Sequence, residues 1–142
     1  MELDQYYTKS SVAKWCLEKL NKDLPSVSDK HFIEPSAGNG SFYSLLPLYR
    51  RTGLDVAPSG SGIKQANFLK WNPPMSDKNK YVVIGNPPFG HRSNLAVDFF
   101  NHSADMADTI GFIVPRQFQK YSVHSQLNDQ FKLIKDYELK ED

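Results

Sequence analysis

Residues 81–90 have the sequence Tyr81-Val82-Val83-Ile84-Gly85-Asn86-Pro87-Pro88-Phe89-Gly90. Residues 81–84 are apolar at every position, which is typical of a strand buried on both faces of a parallel sheet. Each proline fixes its own φ angle and favours extended backbone at the residue before it, so a stiff loop is predicted directly after the strand. A buried strand that ends in such a loop indicates a sheet of the α/β class.

Helical and strand patterns alternate on both sides of this stretch. Helices are predicted over residues 10–21, 41–46, 93–106 and 122–130, and further strands over residues 30–34, 52–56, 109–114 and 131–134. Because this alternation implies crossovers between parallel strands, the predicted fold class is α/β, a Rossmann-like, doubly wound and mostly parallel sheet. The length of 142 residues matches about one ordinary domain, so we expect residues 1–142 to form a single domain.

Composition excludes several classes of protein. Hydrophobic residues make up 39% of the chain, enough for a core, and no apolar run approaches the roughly 18 residues of a membrane span. Cys16 is the single cysteine and the four histidines lack metal-ligand spacing, so neither a disulfide nor a metal site is predicted. Residues 1–5 do not resemble a secretion signal. We expect a cytoplasmic protein, or one of the nucleoid or nucleus, that does not bind a membrane.

The overall charge argues against unaided binding of a DNA duplex. The 17 Lys and Arg residues nearly balance the 16 Asp and Glu residues, for a net charge of +1. A protein that grips a duplex alone usually carries a basic stripe, because phosphate neutralisation supplies most of the non-specific affinity.

The most suggestive residues follow the predicted strands, where ligands bind in doubly wound sheets. After the first strand comes the Gly-x-Gly loop Glu34-Pro35-Ser36-Ala37-Gly38-Asn39-Gly40-Ser41-Phe42. Glycine lets the backbone approach a ligand closely and aims amide N–H groups at it. Tyr43 stands where a dinucleotide fingerprint requires Gly or Ala, so the loop is either a site for another ligand or a tight turn into a helix.

Two further motifs, one at the end of the second strand and one after the loop that follows it, carry polar or aromatic side chains. Asp55 ends the second strand, and a carboxylate there commonly accepts hydrogen bonds from ribose hydroxyls, although a turn-forming Asp before Pro58 has the same pattern. Asn67-Phe68 offers an amide and an aromatic ring that together suit a purine.

The loop after residues 81–84 offers acceptors in a fixed arrangement. Proline has no N–H but keeps its carbonyl, so the loop presents the Asn86 side-chain oxygen and the Pro87 carbonyl. Two acceptors suit an NH₂ group with two hydrogens, and Phe89 can stack on the ring that bears it. The loop therefore predicts a site for an aromatic amine.

Together and in this order, the motifs resemble those of the S-adenosylmethionine-dependent N6-adenine (amino) methyltransferases. The glycine-rich, Asp55 and Asn67 motifs are similar to the family's cofactor motifs, and Asn86-Pro87-Pro88-Phe89 is similar to its catalytic tetrad. The resemblance extends to Asp4-Gln5-Tyr6-Tyr7-Thr8, similar to an N-terminal cofactor motif, and to Ile113-Val114-Pro115, similar to a later strand of the family.

The resemblance implies transfer of the methyl group of S-adenosylmethionine to the N6 amine of adenine, in DNA in preference to RNA. It implies catalytic roles for Asn86, Pro87, Pro88 and Phe89, with Phe89 stacked on a base that has been flipped out of a duplex. The residues implied in cofactor binding are Tyr7, Thr8, Glu34, Pro35, Gly38, Gly40, Asp55, Asn67, Phe68 and Asn86.

The chain departs from the family pattern in three places. Asn67 stands where the family usually has Asp, which keeps an acceptor but loses a charge. No insertion of target-recognition size is present, so no separate target-recognition domain is expected. The chain stops at Asp142, about where the family's closing antiparallel strand pair would begin. We therefore expect an open sheet edge that favours a partner subunit or an oligomer, which would supply target recognition.

Three alternative functions remain open from the sequence. The methylated amine could belong to RNA adenine, because the tetrad contacts the base and not the sugar. It could be a glutamine side chain of a protein, although related enzymes of that kind have Tyr at the position of Phe89. The chain could also be a non-catalytic subunit of the same fold that binds a partner.

Overall fold

A computed structural model of the chain describes residues 8–139. Five strands form one sheet in which every neighbouring pair is parallel, in the order β3-β2-β1-β4-β5. The strands are β1 (His31–Glu34), β2 (Arg51–Asp55), β3 (Lys64–Gln65), β4 (Tyr81–Gly85) and β5 (Thr109–Phe112). The predicted α/β class, with a Rossmann-like parallel sheet, is confirmed.

Helices cover both faces of the sheet. They are α1 (Ser10–Asp23), α2 (Asn94–Met106) and the single turn α3 (Tyr121–His124). Alternate residues of a strand point to opposite faces, and in β4 this alternation divides the core in two. Val82 packs in the cluster that includes α1, whereas Val83 packs in the cluster that includes α2. The apolar run of β4 is buried at every residue for this reason.

The strand order reverses between β1 and β4. From β1 the chain proceeds outward to β2 and β3, and it then crosses to the other side of β1 to form β4 and β5. A crevice opens at such a reversal, outside the carboxyl ends of the two strands, and this is where open α/β sheets bind ligands. Glu34 ends β1 and Asn86 follows β4, so both lie at the reversal point.

The helix predicted over residues 41–46 is wrong. The segment forms one 3₁₀ turn, Tyr43–Leu45, in which the Leu46 N–H donates to the Tyr43 carbonyl. Pro47 follows at once and disfavours helical backbone at the residue before it, so an α-helix has no room to develop. Phe42 and Leu46 are nevertheless buried. The apolar pattern therefore predicted their burial correctly and the element type incorrectly.

The end of the described chain also differs from prediction. The helix expected over residues 122–130 is limited to the turn α3, and residues 131–134, predicted as a strand, have no regular structure. Leu133 and Ile134 are 64% and 55% exposed, so the apolar run that suggested a strand is not buried in a sheet. In the other direction, β3 was not predicted, because its two polar residues are both exposed and carry no hydrophobic pattern.

Within residues 8–139 no helix is long and apolar enough to cross a membrane.

Candidate functional site

A small pocket lies at the carboxyl ends of β1 and β4, where the strand order reverses. Its volume of about 230 Å³ includes open solvent at the mouth, so the enclosed space is much too small for a whole ligand. The lining residues come from the glycine-rich loop, the two strand ends and the start of the described chain: Thr8, Glu34, Ser36, Ala37, Gly38, Asn39, Ser41, Phe42 and Asn86.

Glu34 places a buried carboxyl group in this pocket. The residue is 2% exposed, and its Oε1 atom has no hydrogen-bond partner in the described structure. The pKa of Glu34 is raised to about 8, chiefly by burial and to a smaller extent by the negative charge of Asp55, against the lowering effect of a hydrogen bond from the Tyr43 backbone. An isolated buried carboxylate is costly, so the group is protonated at neutral pH unless a cation approaches it.

Asn86 is held from two sides. Its Nδ2 atom donates to the Thr8 hydroxyl at 3.3 Å, and its backbone carbonyl accepts from the Ser36 hydroxyl at 3.0 Å. Its Oδ1 atom is buried and has no partner among the described residues. A buried acceptor without a donor is uncommon and costs free energy. Glu34 and Asn86 therefore bring two such acceptors to one pocket.

The backbone amides of the glycine-rich loop point into the protein, contrary to prediction. The N–H groups of Ala37 and Gly38 donate to the Leu54 carbonyl and to Asp55 Oδ2, each at 2.8 Å, and the Gly40 N–H donates to the Ala37 carbonyl. These three donors are therefore not available to an anion. The predicted helix after the loop is also missing, so the loop lacks the helix N-terminus that would favour a phosphate.

Asp55 supports the glycine-rich loop in this structure. It is 4% exposed, its Oδ2 atom accepts the Gly38 N–H, and its Oδ1 atom accepts the Ala57 N–H at 2.8 Å. The carboxylate thereby ties the end of β2 to the pocket wall. Contact with a ribose remains a prediction for Asp55.

The loop Asn86-Pro87-Pro88-Phe89, called the tetrad loop from here on, is fixed to the start of α2. The Phe89 carbonyl accepts from the N–H groups of Leu95 and Ala96 at 3.1 and 3.2 Å. Pro87 is fully buried, whereas Pro88 and Phe89 are half-buried. The stiff loop predicted from the two prolines therefore ends in an aromatic ring that is partly accessible beside the pocket.

Phe68 does not lie where a purine-stacking residue should. Its side chain is 0% exposed and packs against Phe99 and His102, with ring centroids 5.2 and 4.8 Å away. No surface of the ring is left for an adenine, so the structure assigns Phe68 to the core instead of the site. Asn67 is exposed, and its Oδ1 atom accepts the Leu69 N–H as the cap of a 3₁₀ turn.

The structure therefore divides the predicted site residues into groups. Thr8, Glu34, Gly38 and Asn86 line the pocket, while Asn67 and Phe68 do not. Pro35 and Gly40 are buried in the same loop. Tyr7 lies outside the described residues. Ser36, Asn39 and Ser41 also line the pocket, and sequence reasoning missed them because serine and asparagine are equally common in ordinary turns.

Gly85 makes room for the Glu34 side chain. Its φ of +146° is unfavourable for other residues, and a Cβ atom there would lie 3.1 Å from Glu34 Cγ. We expect Gly85→Ala to lower the free energy of unfolding by roughly 1–3 kcal/mol, because it adds backbone strain and a close contact. Urea denaturation measures the change.

Gly111→Ala is the matched control for this substitution. Gly111 lies in β5 next to β4, and a Cβ atom there would meet Ile84 and Leu20 at ordinary contact distances of 3.7–3.8 Å. The control is expected to be neutral or stabilising by about 0.4–1 kcal/mol, because alanine restricts the unfolded chain. Equal losses of stability in both variants would contradict a specific role for Gly85.

Within residues 8–139, no group of three or more His, Cys, Asp or Glu side chains is placed to hold a metal ion. The chain matches no known protein-family model and no curated protein sequence.

Proposed function

We propose that the protein transfers a methyl group from S-adenosylmethionine to the N6 amine of adenine in DNA. The observation that carries this proposal is a pair of buried acceptors, Glu34 Oε1 and Asn86 Oδ1, that have no hydrogen-bond partner among residues 8–139. Both residues line one pocket at the reversal of the strand order. One acceptor belongs to a carboxyl group and suits a cation. The other belongs to a neutral amide and suits an amine.

The pocket fits the amino-acid end of the cofactor. Glu34 Oε1 has no hydrogen-bond donor among residues 8–139. The α-ammonium group of the cofactor's methionine part carries three N–H donors. The pocket is small, so most of the cofactor would lie outside it. S-adenosylmethionine contains no phosphate, and the Ala37, Gly38 and Gly40 amides of the glycine-rich loop, which donate within the protein, are not available to one.

Asn86 would act on the amine that receives the methyl group. S-adenosylmethionine supplies an electrophilic methyl group on a sulfonium, so the chain does not need a nucleophilic side chain. The lone pair of the adenine amine is delocalised into the ring, and a hydrogen bond to Asn86 Oδ1 favours the form in which positive charge grows on that nitrogen. Thr8 and Ser36 fix Asn86 before the reaction, so its acceptor needs little reorganisation to stabilise the transition state.

Phe89 supports adenine as the ring that bears the amine. The backbone of Phe89 is tied to α2 and its ring is half-buried next to the tetrad prolines. A fixed, partly accessible aromatic ring can stack on a flipped base. The resemblance of Asn86-Pro87-Pro88-Phe89 to the catalytic tetrad of N6-adenine methyltransferases supports the same assignment.

Two measurements on the 142-residue chain test the proposal. Calorimetry with S-adenosylmethionine and with its demethylated product is expected to show binding of both. Labelled S-adenosylmethionine incubated with DNA, RNA and protein pools is expected to label DNA adenine at N6. Label in RNA or in glutamine side chains would replace the proposed substrate, and binding without any transfer would favour a non-catalytic subunit. Absence of cofactor binding by the folded chain would refute the proposal.

A further inference from the structure

Two segments of the chain that contain no acidic residue meet beside the tetrad loop. Residues 81–97 and residues 109–128 contain no Asp or Glu, while the basic residues Arg92 and Lys120 lie within them. Asp98, Asp108 and Asp129 lie just outside these limits. In a chain with a net charge of +1, the two segments carry a local positive charge that the overall composition conceals.

The fold joins the two segments by packing and by a hydrogen bond. Phe118 is buried against Ala96 and Val97 in the first turns of α2. Gln117 Nε2 donates to Ser93 Oγ at 2.7 Å. Residues 116–120 are thereby held against the loop that leads from the tetrad into α2.

Arg92 and Lys120 flank this junction and are exposed. Among residues 8–139, neither side chain forms an ion pair or a hydrogen bond. Two acidic side chains that contact residues 116–120 have other partners, since Asp136 accepts from Gln119 and Glu138 pairs with Arg116. Neither Arg92 nor Lys120 is therefore paired with a carboxylate among residues 8–139.

The backbone at this junction is unusual. Arg92 and Ser93 have φ angles of +53° and +63°, a left-handed conformation that is unfavourable for non-glycine residues. The Ser93 side chain is completely buried and accepts the hydrogen bond from Gln117. Tertiary contacts thus fix the position of Arg92 against its local preference.

We propose that Arg92, Lys120 and Tyr121 bind the backbone and one base of a single-stranded nucleic acid whose target nucleotide enters the tetrad loop. This inference rests on the proposed function and adds the surface that holds its substrate. Two cations can neutralise two phosphates, and Tyr121, at 86% exposure, offers a ring on which a neighbouring base can stack. A surface of this size suits a single strand, since a duplex grip needs a wider basic stripe.

Fluorescence anisotropy with a labelled single-stranded DNA oligonucleotide tests the surface. Arg92→Ala combined with Lys120→Ala is expected to weaken binding about tenfold at low salt. It should also reduce the magnitude of the slope of the logarithm of the association constant against the logarithm of the salt concentration by about 1.4. Each phosphate contact on a single strand contributes about 0.7 to that slope. Tyr121→Ala is expected to weaken binding roughly tenfold with little change in the slope.

The control carries the same change of charge at the amino end of β4, away from the tetrad loop at its carboxyl end. Lys78 and Lys80 are exposed and precede β4, so Lys78→Ala with Lys80→Ala should leave binding within about twofold. Three results would overturn the proposal. The two double variants could have equal effects, a duplex could bind more tightly than a single strand, or no oligonucleotide could bind. Tighter binding of RNA than of DNA, still lost with Arg92 and Lys120, would support the surface with RNA as its strand.

Calorimetry with S-adenosylmethionine on the same proteins separates this inference from the proposed function. Oligonucleotide binding that depends on Arg92 and Lys120, without cofactor binding, would support the surface and refute methyl transfer. Cofactor binding with oligonucleotide affinity unchanged in the double variant would refute the surface alone.

Discussion

Asn86→Ala is expected to lower the rate of methyl transfer by roughly 10²–10³-fold while the affinity for S-adenosylmethionine stays within about threefold of the wild type. The substitution removes the Oδ1 acceptor that would face the developing charge on the amine, and this interaction is stronger in the transition state than in the ground state. It leaves Glu34, the acceptor assigned to the cofactor's ammonium, in place. Single-turnover labelling gives the rate, and calorimetry gives the affinity.

Two further variants separate catalysis from loop support. Asn86→Asp keeps an acceptor at the same position and should retain more turnover than Asn86→Ala, while losing the donation to Thr8. Asn21→Ala makes the same chemical change on the exposed surface of α1 and should leave the rate unchanged. If Asn86→Ala instead lowered the rate and the cofactor affinity by equal factors, Asn86 would act mainly as a support of the loop.

The sequence predicted best those parts of the fold whose local pattern agrees with their tertiary position. β4 is apolar at every residue because both of its faces are covered, and the two prolines after it leave few backbone conformations. Glu34 and Asn86 were each expected at a ligand site because they lie at the carboxyl ends of predicted strands, and the strand order brings them to the same crevice.

Other features depend on partners that no local pattern reveals. β3 is two exposed polar residues whose pairing is set by Leu54 and Asp55 of the neighbouring strand. An aromatic residue after a strand has the same sequence signal whether it faces a ligand or the core, and the contacts with α2 place Phe68 in the core. The direction of the Gly38 amide is set by Asp55, which lies 17 residues away.

Glu34→Gln is expected to abolish the loss of stability that the ionisation of Glu34 causes between about pH 5 and pH 8. In the folded chain the pKa of Glu34 is raised from 4.5 to about 8, mainly by burial, so the folded state holds this proton more tightly than the unfolded state does. The tighter proton binding by Glu34 stabilises the folded state. This stabilisation is fully present below about pH 4.5 and is lost as the pH rises towards 8. The free energy of unfolding should fall by about 1.4 kcal/mol per pH unit in that interval.

Urea denaturation at pH 5, 6, 7 and 8 measures this slope. Glutamine has nearly the same shape and does not ionise, so the fall in stability with rising pH should be absent in Glu34→Gln, and the variant should be more stable than the wild type at pH 8. Glu18→Gln is the control, because Glu18 is exposed on α1 and should behave as the wild type does. A wild-type chain with no slope over this range would show that Glu34 is ionised in the fold.

Glu34→Gln should weaken cofactor binding, although it stabilises the fold at pH 8. A cation beside Glu34 favours the carboxylate over the acid, which opposes both burial and the charge of Asp55. Cofactor binding to the wild type below pH 8 should therefore release a proton, and calorimetry in buffers of different ionisation enthalpy counts it. Glu34→Gln should bind about tenfold more weakly, or worse, and release no proton from this site, because its amide is neutral and turns an N–H towards the ammonium. A stabilised variant that kept full affinity would contradict the assignment of Glu34 to the cofactor. A stabilised variant that lost affinity would mean that the Glu34 carboxylate destabilises the protein without cofactor and binds the cofactor when it is present.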